Sequence, residues 1–249
     1  MTGPENRYKE AAEVLRHARY GIAFTGAGIS VESGIPPFRG KDGLWTRYDP
    51  GCLDIDYFHR HPERSWPVIR EIFYSHFIKA RFNRAHEVLA EMEKRGMIRC
   101  VITQNIDNLH QEAGNREVFE FHGNSKKLTC TKCQKQYLVN DLDLSALPPR
   151  CTRCGGLIKP GFVFFGEGIP VAALQGSMEA ARNADAVIIV GTTGEVMPAA
   201  QMPYLAKQGG ATVIEVNTEP SRFTESITDI FLQGKATEAM DSLAVELFA

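Results

Sequence analysis

The sequence has no apolar stretch near the roughly 20 residues that span a bilayer; its longest strand-like apolar run is Ala186–Val190. Its start, Met-Thr-Gly-Pro-Glu-Asn-Arg-Tyr-Lys-Glu, lacks the apolar core of a secretory signal. Neither membrane insertion nor export is expected, and a cytoplasmic location is. Neither charge is in excess: 28 Lys and Arg stand against 30 Asp and Glu, a formal net charge of −2. That balance removes the electrostatic case for a dedicated nucleic-acid binder, a local basic patch aside. Cysteine is sparse, six in 249 residues, which excludes a disulfide scaffold. No internal repeat, low-complexity tract or flexible linker is present. What remains is a globular composition, 43% hydrophobic and 23% charged, long enough for one large domain or two small ones.

Glu10–Arg19 carries apolar residues at helical spacing, and Gly21–Thr25 reads as a short buried strand. A glycine-rich loop, Gly26–Gly34, follows at once. Asn83 has N-cap chemistry, Arg84–Arg95 an amphipathic helical pattern, and Gly96 the C-cap. Cys100–Thr103 reads as a strand, then a short helix runs through Leu109, then the strand Val118–Phe121. Beyond Ile158, strands are expected at Phe162–Phe165, Ala186–Val190 and Thr212–Val216. Helices are expected at Val171–Asn183, Pro198–Gln208 and Thr237–Phe248, with Pro198 in a first turn. Short apolar strands alternating with helices predict an α/β fold with a doubly wound parallel sheet. Two stretches break the alternation: 41–82, rich in aromatics, Pro and charge, and 124–158, polar and holding four cysteines. Both read as insertions into a single domain spanning 1–249.

The four cysteines form two C-x-x-C pairs, Cys130-Thr-Lys-Cys133 and Cys151-Thr-Arg-Cys154, with 17 residues between them. Each pair can place two thiolates on one metal, and Zn²⁺ prefers four sulfurs at about 2.3 Å in closed structural sites. Four cysteines leave no position for a catalytic water, so the expected zinc is structural. A redox dithiol or unliganded cysteines are the alternatives. Cys100 falls in a strand and reads as core; Cys52 has no assignment.

The turn Gly26-Ala27-Gly28-Ile29-Ser30 after a strand suggests backbone approaching a phosphate. The dinucleotide fingerprint G-x-G-x-x-G fails, because Val31 stands at the third glycine. The plain alternative is a tight turn. Ile35-Pro36-Pro37-Phe38-Arg39-Gly40 reads as a loop that moves over a ligand, with Arg39 able to meet a phosphate, or as an ordinary proline-rich connection. Thr103-Gln104-Asn105-Ile106-Asp107 leaves a buried strand, where parallel sheets bind ligands. Its side chains suit ribose hydroxyls and a carboxamide, or equally a helix cap made by Asn105 or Asp107. His122 ends another strand, and an imidazole suits proton transfer near neutral pH. With seven histidines in the chain, a satisfied structural role is its default. Gly191-Thr192-Thr193-Gly194 and Asn217 also stand at strand ends.

In this order, these motifs, with Ser33-Gly34-Ile35-Pro36, His122-Gly123, Phe165-Gly166-Glu167 and Pro198, resemble the sirtuins, the NAD-dependent protein deacylases. The resemblance covers about Val14 to Leu247. It implies a Rossmann-like large domain with a smaller zinc-binding and helical module, and a cleft between them for NAD⁺ and an acyl-lysine protein or peptide. By this resemblance Gly26, Ala27, Gly28 and Arg39 face the pyrophosphate, and Ser30, Asn105 and Asp107 shape the nicotinamide pocket. Gln104 holds the nicotinamide ribose. Gly191, Thr192 and Asn217 serve the adenosine half, and Lys235 and Ala236 approach the adenine. Val163, Phe165, Gly166 and Glu167 belong to a segment that pairs with substrate backbone. Phe38, which also faces the cofactor, lines the acyl-lysine tunnel with His122 and Phe165, and Tyr74 meets the substrate. The implied reaction joins the acyl oxygen to C1′ of the nicotinamide ribose, releasing nicotinamide. His122, as general base, then activates a ribose hydroxyl, and free lysine and O-acyl-ADP-ribose result.

Two departures shape the expected specificity. Sirtuins that prefer succinyl or malonyl lysine often carry Tyr-x-x-Arg; here Tyr74 is followed by Phe77 at the arginine position. Without that cation a buried acyl carboxylate would be unpaired, so acetyl or a longer neutral acyl group is expected. His76 could partly substitute for the missing arginine. Phe162 and Phe164 stand where small aliphatics are common. The family often has Ser then Leu after Gly-Thr, where this chain has Thr193 and Gly194; Glu195, which follows, is either a cleft carboxylate favouring basic flanking residues or a solvent-facing one. A mono-ADP-ribosyltransferase and a non-catalytic NAD-sensing module are the alternative functions; the missing third glycine disfavours an ordinary dehydrogenase. Nothing in the sequence indicates an oligomeric state.

Overall fold

The computed structural model describes residues 4–38, 43–75 and 77–249. Helix α1 (Pro4–His17) leads into strand β1 (Gly21–Thr25). Two short helices, α2 (Ile55–Arg60) and α3 (Pro62–Ile69), precede α4 (Arg84–Lys94). Then come β2 (Cys100–Thr103), α5 (Leu109–Ala113) and β3 (Val118–Glu120). Three strands follow: β4 (Gly123–Cys130), β5 (Gln136–Leu138) and β6 (Ile158–Phe162). The rest of the chain is α6 (Val171–Asn183), β7 (Ala186–Val190), α7 (Gln201–Gln208), β8 (Thr212–Asn217), β9 (Ile230–Gln233) and α8 (Ala236–Phe248).

Six strands form one parallel sheet in the order β3-β2-β1-β7-β8-β9. Alternate residues of each strand point to opposite faces. Ala23, Val101, Ile188 and Ile214 pack with Leu15, Val88, Leu89, Met92 and Leu243 of α1, α4 and α8. Ile22, Phe24, Ile102, Ile189 and Val213 pack with Ala181 and Met202 of α6 and α7. Both faces are covered, which is why β1 and β7 are buried at every residue rather than alternating. The chain runs from β1 to β2 on one side and returns to β7 on the other. Such a reversal leaves a crevice at the carboxyl ends of the two strands.

The smaller unit pairs β5-β4-β6 antiparallel. Leu128 and Ile158 of this sheet pack with Phe58, Trp66, Ile69 and Phe73 from the helical stretch. The Trp66 indole donates to the Ile158 carbonyl at 3.0 Å, so the helices and the small sheet share one core.

Several boundaries differ from the sequence reading. Residues Ala27–Ser33 are a 3₁₀ helix rather than a loop, closed by Gly34 at φ 87°. The helix expected through Leu109 begins at Leu109, because Asp107 Oδ1 accepts the Leu109 N–H and Asn108 takes a left-handed φ of 67°. The strand expected at Phe162–Phe165 ends at Phe162, and Phe165 makes only an isolated bridge to Asp54. Helix α7 starts at Gln201, three residues after Pro198. Strands β4, β5 and β9 had no counterpart in the sequence reading.

Candidate active site

A cleft of about 860 Å³ opens at the carboxyl ends of the parallel strands. Its floor is two turns in contact. The Gly26 N–H donates to the Val190 carbonyl at 3.1 Å and the Gly28 N–H to the Gly191 carbonyl at 2.8 Å. A Cβ on Gly28 would stand 2.6 Å from Gly191 Cα, and one on Gly191 would stand 2.4 Å from the Ile29 nitrogen. Only backbone fits between them. Gly26 N-caps the 3₁₀ helix and supplies no side-chain cap, so the helix start presents backbone to the cleft, an arrangement that suits an anion.

Side chains lace the strand ends together. The Gln104 amide donates to Thr192 Oγ1 at 3.0 Å, and the Asn217 amide to the Thr192 carbonyl at 3.0 Å. Glu32 also lines the cleft and caps α8, accepting the Thr237 N–H at 2.9 Å and its hydroxyl at 2.6 Å. That cap holds Lys235 and Ala236 at the far end of the cleft.

Asn105 lines the cleft; Ser30 and Asp107 stand buried behind it. The Asn105 amide donates to the Ser30 hydroxyl at 3.2 Å, and that hydroxyl donates to Asp107 Oδ2 at 2.7 Å. Asp107 therefore fixes Asn105 through Ser30 and also accepts the Leu109 N–H at the start of α5. Burial raises the Asp107 pKa, against the hydrogen bonds from Leu109 and Ser30. His86 meets Ser30 at 3.4 Å and lies 4.9 Å, ring to ring, from His110. Burial lowers His86 to about 2 and His110 to about 4, so both rings are neutral. The Thr25 hydroxyl donates to Thr103 at 2.9 Å, so the His110 Nε2–H is the donor to Thr25, also at 2.9 Å.

The opposite wall is aromatic. Phe38, Trp45, Phe73, Phe162, Phe164 and Phe165 line it, with Phe38 5.5 Å from Trp45 and 6.3 Å from Phe73, centre to centre. His122 faces the same space, and burial pulls its pKa down to about 4. Its carbonyl accepts the Val163 N–H at 2.8 Å. Phe165 is held at the rim through the Leu53 carbonyl (2.9 Å) and the Ile55 N–H (3.0 Å). Gly166 and Glu167 complete this wall.

Two positions considered for the cleft stand elsewhere. Tyr74 does not line the cleft; it is buried, stacked 6.2 Å from Trp66, and borders a second cavity of about 300 Å³ with Phe77. Phe73 faces the cleft in its place. The backbone here winds one π turn, Arg70–Tyr74, which shifts the phase of the helical face. Glu195 does not line the cleft and stands 4.0 Å from the Arg222 guanidinium. Arg39, Gly40 and His76 lie outside the described residues. The sequence reading also passed over Trp45, Glu32 and His86, for which no local motif gave a signal.

Sγ atoms of Cys130, Cys133, Cys151 and Cys154 all lie within 4.8 Å of one another. The pairs Cys130–Cys154 and Cys133–Cys151 stand 3.5 and 3.6 Å apart. A tetrahedron with Zn–S bonds of about 2.3 Å has edges of about 3.8 Å, so the donor set fits zinc. A Cβ on Gly156 would come within 2.9 Å of the Cys130 sulfur, so glycine keeps this cradle open. The Tyr137 hydroxyl reaches the Cys151 sulfur at 3.1 Å and pulls its pKa down to about 6, which favours the thiolate a metal needs.

A family model described as the Sir2 family matches residues 26–198. The NAD-dependent protein deacylase of Pyrococcus abyssi is 46% identical, over 96% of this chain and 97% of that protein. The enzyme of the same name from Aeropyrum pernix is 45% identical, over 94% of this chain and 95% of its own. A solved structure of Sir2 with a p53 peptide and NAD⁺ superposes with a TM-score of 0.88 at 37% identity, over 96% of this chain and 97% of its own. One of Sir2Tm bound to a propionylated peptide superposes with a TM-score of 0.88 at 36% identity, with the same coverage.

Proposed function

We infer the function from one premise: the chain belongs to the Sir2 family. It is an NAD-dependent protein-lysine deacylase. The observation that carries this reading is that one cleft gathers a paired-glycine turn, Asn105 backed by Ser30 and Asp107, and a neutral His122 facing an aromatic wall. NAD supplies the ADP-ribosyl group that accepts the acyl group as nicotinamide leaves.

Placement in the cleft supports the following residue roles. The turns at Gly26–Gly28 and Gly191–Thr192 receive the pyrophosphate and adenosine half, with Asn217, Lys235 and Ala236 beyond them. Gln104 stands between the two halves, where it can hold a ribose. Asn105 offers its amide to the nicotinamide carboxamide, and Ser30 and Asp107 fix its orientation. His122, neutral at physiological pH, is in the state that accepts a proton from a ribose hydroxyl. Val163, Phe165, Gly166 and Glu167 form the wall against which the peptide lies. Zinc held by the four thiolates ties β4 to the Cys151–Cys154 turn and keeps no open position for chemistry. The chain folds as one catalytic domain in which 41–82 and 124–158 are insertions.

The acyl group is neutral. Phe38, Phe73, Phe162 and Phe164 make the tunnel wall apolar, and among the described lining residues the lone Lys or Arg is Lys235, at the adenosine end. The protein acts in a reducing, cytoplasmic setting, where paired thiols hold metal rather than forming disulfides.

A mass-spectrometric turnover assay tests the reading. Purified protein meets NAD⁺ and one lysine peptide carrying acetyl, succinyl or a long-chain acyl group. Matched nicotinamide and O-acyl-ADP-ribose, with acetyl or the long chain ahead of succinyl, is the expected result. Faster succinyl turnover overturns the neutral-acyl assignment. Transfer of ADP-ribose to a protein without deacylation overturns the deacylase reading in favour of a transferase.

A further inference from the structure

The peptide wall is held from behind by a buried cation that none of the sequence motifs singled out. Lys159, in β6, is 9% exposed and does not line the cleft. An ammonium has three N–H donors, and three oxygens surround this one. They are the carbonyls of Pro160 (2.8 Å) and Phe162 (2.7 Å) and Glu167 Oε2 (2.9 Å). The charge also lies 4.1 Å from the centre of the Phe164 ring and 6.0 Å from that of Phe162. The same Glu167 oxygen accepts the Phe164 N–H at 2.7 Å, and the Glu167 N–H returns to the Phe164 carbonyl at 3.0 Å. Lys159 and Glu167 therefore close a ring across residues 160–167. That span includes every residue the deacylase reading assigns to the peptide wall.

We propose that Lys159 is a positioning residue for the peptide substrate: its ammonium sets the shape of the Val163–Glu167 wall, and with it peptide affinity, without touching peptide or nucleotide. The inference rests on the deacylase reading. A wall shaped before the peptide arrives spares the ordering cost that a loose segment would add on binding. The nucleotide turns at Gly28 and Gly191 belong to the parallel sheet and take no hydrogen bond from this ring. Loss of the cation therefore separates the two substrates.

Steady-state kinetics with an acetyl-lysine peptide and NAD⁺ test this, on wild type, Lys159→Met, Lys159→Arg and Lys159→Gln. ADP-ribose binding by calorimetry runs alongside. Lys159→Met is expected to raise the peptide KM about tenfold, the scale of a lost charge-assisted hydrogen bond, and to leave the NAD KM and ADP-ribose affinity within about twofold. Lys159→Arg recovers most of the peptide KM, because a guanidinium can still serve carbonyls and carboxylate together. An unchanged peptide KM in Lys159→Met overturns the proposal. So does a parallel loss of peptide and ADP-ribose affinity, which marks general destabilisation. Should Lys159→Met not fold, Lys159→Gln, neutral and behind the wall, decides: a selective rise in peptide KM supports the ring, and wild-type kinetics overturn it. A wild type that deacylates nothing removes the deacylase reading and this inference with it. A wild type that turns over while the variants match it removes this inference alone.

Discussion

The two sheets of this protein are stabilised by different physics. The parallel sheet is buried on both faces, and Ile22, Phe24, Ile188 and Val190 are wholly inaccessible. The three-stranded sheet is short, and of its residues Lys126, Lys127, Gln136 and Leu138 are exposed. It relies on one aromatic face and on four sulfurs that converge. A large apolar interior backs the glycine turns of the cleft; the small unit, without such an interior, has four thiolates that fit a metal behind the aromatic wall. Stability and metal content are thus expected to separate along the line between the two substrates.

The strongest break in that comparison is removal of the metal. Chelation, or Cys154→Ser, is expected to abolish peptide deacylation, with a loss of about 100-fold or more, because the small unit loses its one strong cross-link. ADP-ribose binding by calorimetry should persist, since the parallel sheet carries it. Loss of ADP-ribose binding in the zinc-free protein would show that the two sheets are not separable.

Gly191→Ala strikes the other side. The residue has φ 66°, and its Cβ would meet the Ile29 nitrogen at 2.4 Å. A forced left-handed alanine alone costs about 1–2 kcal/mol, and the clash adds to it. ADP-ribose affinity should fall at least tenfold while zinc remains at one per chain, measured by metal analysis. His122→Ala should abolish product formation and leave ADP-ribose binding intact; near-normal turnover would refute the proton-accepting role.

A further expected effect is a pH dependence of stability, to which His86 and His110 on the parallel-sheet side contribute alongside His122. His86 and His110 are neutral when folded, at about 2 and about 4, and titrate near 6.5 when unfolded. Between pH 6.5 and 4 the unfolded chain binds more protons, so stability is complete above 6.5 and declines as pH falls. At pH 5 each ring accounts for about 2 kcal/mol at most. Urea midpoints at pH 7.5 and 5.0 should differ accordingly, and His110→Gln should flatten the slope. An equal slope in that variant would remove His110 from the account.

The same division governs what could be read from residue order. β1 and β7 were legible because burial on both faces demands largely apolar runs. β4 was not, because Ser125, Lys126 and Lys127 give it a polar pattern and one of its two partners, β6, lies far along the chain. The cysteine spacing was legible because a metal fixes it locally. The order of Phe73 and Tyr74 was not, because one π turn rotates the helical face and two adjacent aromatics leave the phase to the backbone. Ser30, His86 and Asp107 meet from three distant segments, and no local pattern announces that meeting.

His122 occupies the joint between the last strand of the parallel sheet's edge and the first strand of the small one, between Glu120 and Gly123. Phe121, fully inaccessible, is nailed into the large interior, while the Val163 N–H grips the His122 carbonyl from the small unit. The imidazole is thus mounted like the pointer of a balance, with one arm in each body. Its aim toward the cleft therefore depends on both bodies at once.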